Sequence, residues 1–246
     1  MGNGMDKTVI VVGANGEIGS SLVRAIAKTH QVILWVSPRA NVDLVREHLN
    51  LRSESLVLPV DLCDQSEIKK TFIDTRARFP DIDAVITCSG IATGAHSLMT
   101  TERHLTDSWN INFLAPTLIT QMVAKSMLRK KCGKIIHLAS IQGLIAEPGN
   151  LAYGCSKAAL VHACKIFAQE LGPHGIAVNA VCPTVLHSKM GDLMDEASKQ
   201  RLLEYSSNNG LAIKIDEVIA LIEFLLKVEG TAINGQALRV DAGMPF

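Results

Sequence analysis

The stretch KTVIVVGANGEIG, residues 7–19, runs an apolar, β-branched segment straight into a turn that carries Gly13, Gly16 and Gly19. The placement of that turn matters more than its glycines. At the carboxyl end of a strand, a tight turn aims backbone N–H groups and the dipole of the following helix at a pyrophosphate, and a missing Cβ lets the phosphate come close. A helix beginning near Ile18 completes the arrangement, so Gly13, Asn15, Gly16, Ile18 and Gly19 are candidate contacts for a dinucleotide.

Six further short runs share the character of the first: QVILWV, SLVLPV, DAVITC, GKIIHLA, GIAVNAV and QALRV. Longer amphipathic stretches separate them. Strands this apolar, alternating with helices, predict an α/β chain with a parallel sheet of about seven strands covered by helices on both faces. Right-handed crossovers then give a single-domain, doubly wound Rossmann fold. No internal repeat, low-complexity tract or change of composition marks a second domain, so residues 1–246 are read as one unit. The loosest region is 187–214, HSKMGDLMDEASKQRLLEYSSNNGLAIK, polar and weakly patterned after Pro183. It reads as a mobile excursion between strand six and the last helix, of the kind that covers a ligand.

With 48% hydrophobic and 20% charged residues, a chain of 246 residues can bury one large core. The 24 basic and 24 acidic side chains cancel, so no global field attracts nucleic acid or an anionic membrane. The six cysteines, Cys63, Cys88, Cys132, Cys155, Cys164 and Cys182, form no CxxC pair and no zinc spacing. They read as reduced, mostly buried thiols in a reducing cytosol. No apolar run approaches the ~20 residues that span a bilayer, and MGNGMDKTV lacks a signal-peptide layout. A soluble, cytoplasmic protein without a metal site is expected.

Sites that prefer NAD usually end the second strand with an acid that holds the ribose 2′-hydroxyl. Here the chain reads ILWVSPRANVD, with Ser37 and Arg39 at the relevant positions and no acid before Asp43. A hydroxyl and a guanidinium suit a 2′-phosphate, which points to NADP(H). The alternative is that Arg39 caps a solvated turn.

Residues 151–157, LAYGCSK, place Tyr153 four residues before Lys157 in a chain with two tyrosines. On one helix, that spacing puts both side chains on one face. Delivering hydride to a ketone leaves charge developing on oxygen, which calls for a hydrogen-bond donor that can release a proton. A phenol of pKa ~10 beside an ammonium fits, because the cation favours the phenolate and brings the group toward the operating pH.

From the glycine turn through PVDLCD, NINFLAP, HLASIQG, YGCSK and VNAVCPTVLHSKM to INGQALRVDAG, the whole chain resembles the short-chain dehydrogenases/reductases, in their compact single-domain branch. The resemblance implies a catalytic tetrad of Asn112, Ser140, Tyr153 and Lys157. In it, Ser140 orients the substrate carbonyl, Lys157 also holds the nicotinamide ribose, and Asn112 supports a water relay. It places Asp61 by the adenine and Ser188 by the nicotinamide amide, and adds Leu62, Ser89, Gly90 and Pro183 to the cofactor contacts. Three departures stand out. The turn is spaced GxxGxxG with Glu17 at the usual middle glycine, TCSG (87–90) replaces Asn-Asn-Ala-Gly, and Thr184 follows Pro183 in place of glycine.

Among relatives, the chain looks most similar to 3-oxoacyl-acyl-carrier-protein reductases, which implies NADPH-dependent reduction of a β-ketoacyl thioester. Arg129, Lys130, Lys131 and Lys134, in MLRKKCGK, are then candidates to dock an acidic carrier protein. They equally suit a solvated helix end whose cations complement the dipole. His174 stands where the resemblance expects a second docking arginine. The enzymatic alternative is an oxidoreductase of a free sugar, steroid or specialised metabolite, and the non-enzymatic one an NADP-sensing or scaffold protein. Apolar residues beyond one helix face, including Met122, Val161 and Phe167, together with the resemblance, predict a homotetramer.

Overall fold

The computed structural model describes residues 7–188, 196–207 and 210–245. In chain order the elements are β1 (Lys7–Val12), α1 (Glu17–Ile26), β2 (His30–Val36), α2 (Val42–His48), β3 (Leu56–Pro59), α3 (Gln65–Arg78), β4 (Ala84–Thr87), α4 (Glu102–Trp109), α5 (Ala115–Lys130), β5 (Gly133–Leu138), α6 (Leu151–Leu171), β6 (Ile176–Pro183), α7 (Glu196–Glu204), α8 (Ile215–Lys227) and β7 (Ala237–Val240). The seven strands form one sheet in the order β3-β2-β1-β4-β5-β6-β7, parallel throughout. This is the doubly wound fold that the seven apolar runs predict.

Register explains why those runs are almost continuously apolar. Val9 pairs with Val32 and Ala84, while Ile10 pairs with Ile33 and Val85. Successive residues point to opposite faces of the pleat. Ile10, Val12, Ile33 and Trp35 enter a core with Ile68 and Phe72 of α3, Ile119, Val123 and Met127 of α5, and Leu160 and Cys164 of α6. Val9, Val11, Val32 and Leu34 enter the other, with Leu22, Val23 and Ile26 of α1 and Val218, Ile222 and Leu225 of α8. Each such aliphatic side chain contributes about 1.5–3 kcal/mol when fully buried. The indole N–H of buried Trp35 donates to Thr75 Oγ1 at 3.1 Å, so that buried polar group is satisfied.

Two features of the scaffold position the site. The strand order reverses at β1, which lies between β2 and β4, and a crevice opens at the carboxyl ends of the strands there. Between α4 and α5, residues Asn110–Leu114 form one turn of π-helix. Pro116, four residues after Asn112, has no N–H to give to the Asn112 carbonyl and cannot continue a regular ladder across that point. Such single π-turns recur at functional sites.

All six cysteines are free. Cys63, Cys132 and Cys155 are exposed, so burial is less general than composition suggested. Of the three residues named as extending the apolar surface beyond one helix face, Val161 is 4% exposed and belongs to the core, while Met122 and Phe167 pack against it.

Candidate active site

A cleft of about 1200 Å³ opens at the carboxyl ends of the strands. Gly13, Asn15, Gly16, Ile18, Gly19, Ser37, Asp61, Leu62, Ser89, Gly90, Pro183 and Ser188 all line it, together with Ser140, Tyr153 and Lys157. Arg39 and Asn112 are not among its lining residues. Arg39 lies exposed in the turn that leads from β2 to α2.

At the nucleotide end, Gly13 has φ +76°, and a Cβ there would stand 2.7 Å from the Ser89 backbone nitrogen. Only glycine allows β1 and the loop after β4 to close so tightly. The N–H groups of Gly13 and Ala14 donate to the Trp35 carbonyl at 2.8 and 3.1 Å. Asn15 Oδ1 accepts from the Ser37 backbone N–H at 3.0 Å, tying the glycine turn to the end of β2. Gly16 brings no side chain to cap α1, so the positive end of that helix is left to an anionic ligand. Ser89 Oγ is buried in the cleft wall with no protein partner. These features fit a dinucleotide phosphate.

At the catalytic end, Ser140 opens a short 3-10 turn, Ile141–Gly143, and its hydroxyl accepts from the Gln142 N–H at 3.2 Å. A Cβ on Gly143 would meet the Lys157 backbone at 2.8 Å. The missing side chain therefore presses the Ser140 turn against α6 and brings Ser140 to Tyr153. Lys157 Nζ donates to the Leu138 carbonyl at 2.7 Å and lies 5.8 Å from the centre of the Tyr153 ring. Asn112 is fully buried behind these groups: it accepts from the Ile91 N–H at 2.9 Å and donates to the Ile91 carbonyl at 2.9 Å and to Ser156 Oγ at 3.0 Å. It joins the loop after β4 to the helix that carries Tyr153 and Lys157.

Burial dominates the electrostatics here. It raises the Tyr153 phenol above its ordinary value, opposed by the hydrogen bond with Ser140. The shift is opposite to the one the Tyr–Lys spacing suggests, because desolvation outweighs the Ser140 hydrogen bond. A phenol shifted this way is protonated at neutral pH, the form that can donate to a ketone oxygen. Burial also lowers Lys157 to about 8, with Cys182 and Cys88 acting the other way. Those two thiols are pushed up by burial, to about 11 and about 12, and stay neutral.

The 187–214 excursion lies partly outside the described residues, but its described part includes helix α7. Arg201 Nε and Nη2 contact Glu147 Oε1 at 2.9 and 2.7 Å, and Nη2 donates to Ser198 Oγ at 2.8 Å. Leu202 packs with Ile141, Val185 and Met244. Ser198, Arg201 and Leu202 line the cleft. The Glu147–Arg201 pair spans 54 residues of sequence, and no local pattern announces it. Gln142, in contrast, stands two residues after Ser140 on the same turn and was within reach of a reading centred on Ser140.

The basic cluster lies at the amino ends of the strands, away from the cleft. Lys130 pairs with Asp83 at 2.7 Å, and Lys134 Nζ donates to the Gly230 carbonyl at 2.5 Å. Arg129 and Lys131 are exposed, and Gly175, next to His174, packs against the Lys131 carbonyl.

The family model described as enoyl-(acyl carrier protein) reductase matches residues 13–245. With the sheet, the glycine turn and the Ser-Tyr-Lys geometry, this defines the class: the chain belongs to the short-chain dehydrogenase/reductase family of nicotinamide-dependent oxidoreductases acting on CH–OH and C=O groups. Among its relatives, the 3-oxoacyl-(acyl-carrier-protein) reductase FabG of Rickettsia typhi is 27% identical over 239 residues, covering 97% of this chain and 96% of the relative. The L-xylulose reductase of Caenorhabditis elegans is 30% identical over 243 residues, covering 97% and 95%. The NAD-dependent glycerol dehydrogenase of Listeria innocua is 27% identical over 238 residues, covering 97% and 93%. The structure of ElxO with NADP bound superposes with a TM-score of 0.87 at 23% identity, covering 98% of this chain and 99% of that one, and shares the fold.

Proposed function

We propose that the protein is an NADPH-dependent ketoreductase acting on β-ketoacyl thioesters to give 3-hydroxyacyl products. The observation that carries the reading is the convergence of the glycine turn, Ser37 and the Ser140–Tyr153–Lys157 group on one cleft. When bound there, NADPH supplies the hydride. The chain's own residues do the rest. Ser140 orients the carbonyl oxygen, Tyr153 donates a proton to it, Lys157 holds its charge beside the phenol and reaches the nicotinamide ribose, and Asn112 fixes α6 against the loop after β4. Asp61 and Leu62 would flank the adenine, and Ser188 the nicotinamide amide. Support for the substrate class comes from relatives named as acyl-carrier-protein reductases. Relatives named for xylulose and glycerol favour a second reading, reduction of a free hydroxylated ketone. A panel of β-ketoacyl thioesters, free and carrier-bound, against free ketones separates the two. NADPH binding with no turnover on any of them would favour a sensor and sink both.

For the cofactor, Ser37 in the cleft wall and Arg39 two residues on, in place of an acid, support a 2′-phosphate site. Arg39→Ala is expected to raise the KM for NADPH by about tenfold, the scale of a charge-assisted hydrogen bond, and to leave NADH use unchanged. Equal use of both cofactors by the parent would refute the preference.

Carrier docking is assigned to Arg129 and Lys131, the two cations of the cluster without an intrachain ion pair or carbonyl partner among the described residues. Because they lie at the amino ends of the strands, an acyl group docked there would enter the cleft of a neighbouring subunit, which couples docking to the proposed homotetramer. Arg129→Glu with Lys131→Glu should lower kcat/KM for a carrier-bound substrate by about tenfold at low salt and less at high salt. A small free thioester should be reduced as before. Equal losses on both substrates, or a monomer in sedimentation, would contradict the assignment.

A further inference from the structure

We infer that Gln142 determines substrate specificity, by binding a second oxygen of the substrate on the carbon adjacent to the reacting carbonyl or the next one along. The inference rests on the reductase reading and narrows it to a class: β-keto and α-hydroxy ketones are accepted over plain ketones.

Gln142 is 6% exposed and lines the cleft with Ser140 and Tyr153. Its side-chain Nε2 is buried without a protein partner. Native proteins leave few such groups unpaired, because each costs roughly 1–3 kcal/mol. Of the buried unpartnered side-chain atoms among the described residues, those of Arg76, Thr93, Ser108 and Ser126 belong to residues that do not line the cleft, and Ser89 is at its nucleotide end. Gln142 alone among them is on the turn that carries Ser140.

The geometry fixes what could satisfy it. The Gln142 N–H is held by Ser140 Oγ at 3.2 Å, so the amide starts from a point adjacent to the group that orients the reacting oxygen. Its reach ends a short distance further along the substrate. Ile141, Val185 and Leu202, which line the same cleft, have apolar side chains that offer it no hydrogen bond. Arg201, which also lines the cleft, is paired with Glu147. An amide offers both donor and acceptor, and half a turn about its last torsion exchanges them. It can therefore donate to a thioester carbonyl or a hydroxyl oxygen, and a site built on such a bond rejects the analogue that lacks it.

Three probes test this: the N-acetylcysteamine thioester of acetoacetate, hydroxyacetone and 2-pentanone. The parent should reduce one or both oxygenated ketones with higher kcat/KM than 2-pentanone. Gln142→Met, similar in length but unable to hydrogen-bond, should lower kcat/KM for the oxygenated ketones by about tenfold and leave both 2-pentanone reduction and NADPH affinity unchanged. Gln142→Glu identifies the second oxygen: a carboxylate accepts from a hydroxyl and repels a carbonyl, so hydroxyacetone should keep its rate while the thioester loses it. Equal loss on all three probes with Gln142→Met would make Gln142 a structural support of the Ser140 turn and overturn the inference. So would no loss on any. A parent that reduces none of the three refutes the reductase reading itself.

Discussion

Tyr153→Phe should reduce turnover by about a thousandfold, the scale of a positioned general acid, while NADPH affinity stays within about twofold of the parent. The expectation follows from where the hydroxyl sits. Tyr153 is 9% exposed, and its ring packs at the start of α6, so phenylalanine keeps the packing and removes a single oxygen. Burial holds that oxygen in its protonated form and the hydrogen bond from Ser140 pulls the other way. The protonated group can release its proton as charge grows on the substrate oxygen. The nucleotide end, built from Gly13, Asn15 and Ser37, is untouched by the change. Steady-state kinetics on a β-ketoester and a fluorescence titration with NADPH check the two halves. Near-parental rates would remove Tyr153 from the mechanism.

Most of the scaffold was legible because two periodicities cover it. Seven apolar runs give seven parallel strands, and Val9, Ile10, Val11 and Val12, all buried, show why alternation is absent. The glycine turn was legible for a reason of its own: a strand running into glycines without intervening residues leaves few conformations, and Gly13 adopts the positive φ that the turn needs. The Tyr153–Lys157 pair is local to one helix and so could be placed from spacing. What the sequence did not show is what long-range contacts create. Asn112 reaches Ile91 and Ser156 across 21 and 44 residues, and Glu147 meets Arg201 across 54. The sign of the Tyr153 shift depends on burial, which spacing does not carry. The basic cluster reads as one patch in MLRKKCGK, yet Lys130 and Lys134 turn to Asp83 and Gly230, partners that only the sheet brings near.

Lys157→Met should abolish turnover and weaken NADPH binding while making the protein more stable at neutral pH. The side chain is 3% exposed, and burial lowers its pKa from 10.5 to about 8. At about 1.4 kcal/mol per unit, that shift places roughly 3 kcal/mol of cost on the buried ammonium. Methionine has similar length and carries no charge, so it removes this cost but leaves the Leu138 carbonyl without its donor, a loss of about 1 kcal/mol. For a chain of this size the remainder raises the thermal midpoint by about 4 °C or more. The pH dependence has a definite sign. Below about 8 the lysine is charged in both folded and unfolded chains, and the variant's advantage is complete. Between about 8 and 10.5 the unfolded chain still holds the proton that the folded one has released, so parental stability rises with pH relative to the variant. The difference between the two midpoints should therefore shrink across that window. Comparing variant with parent cancels the titration of the groups that do not feel the Lys157 charge, which leaves out Cys88, Cys182 and His137. A variant less stable at pH 7, or an advantage that stays constant to pH 10.5, would show that Lys157 carries no such burden, and that its charge is maintained by contacts other than those with Leu138, Cys88 and Cys182.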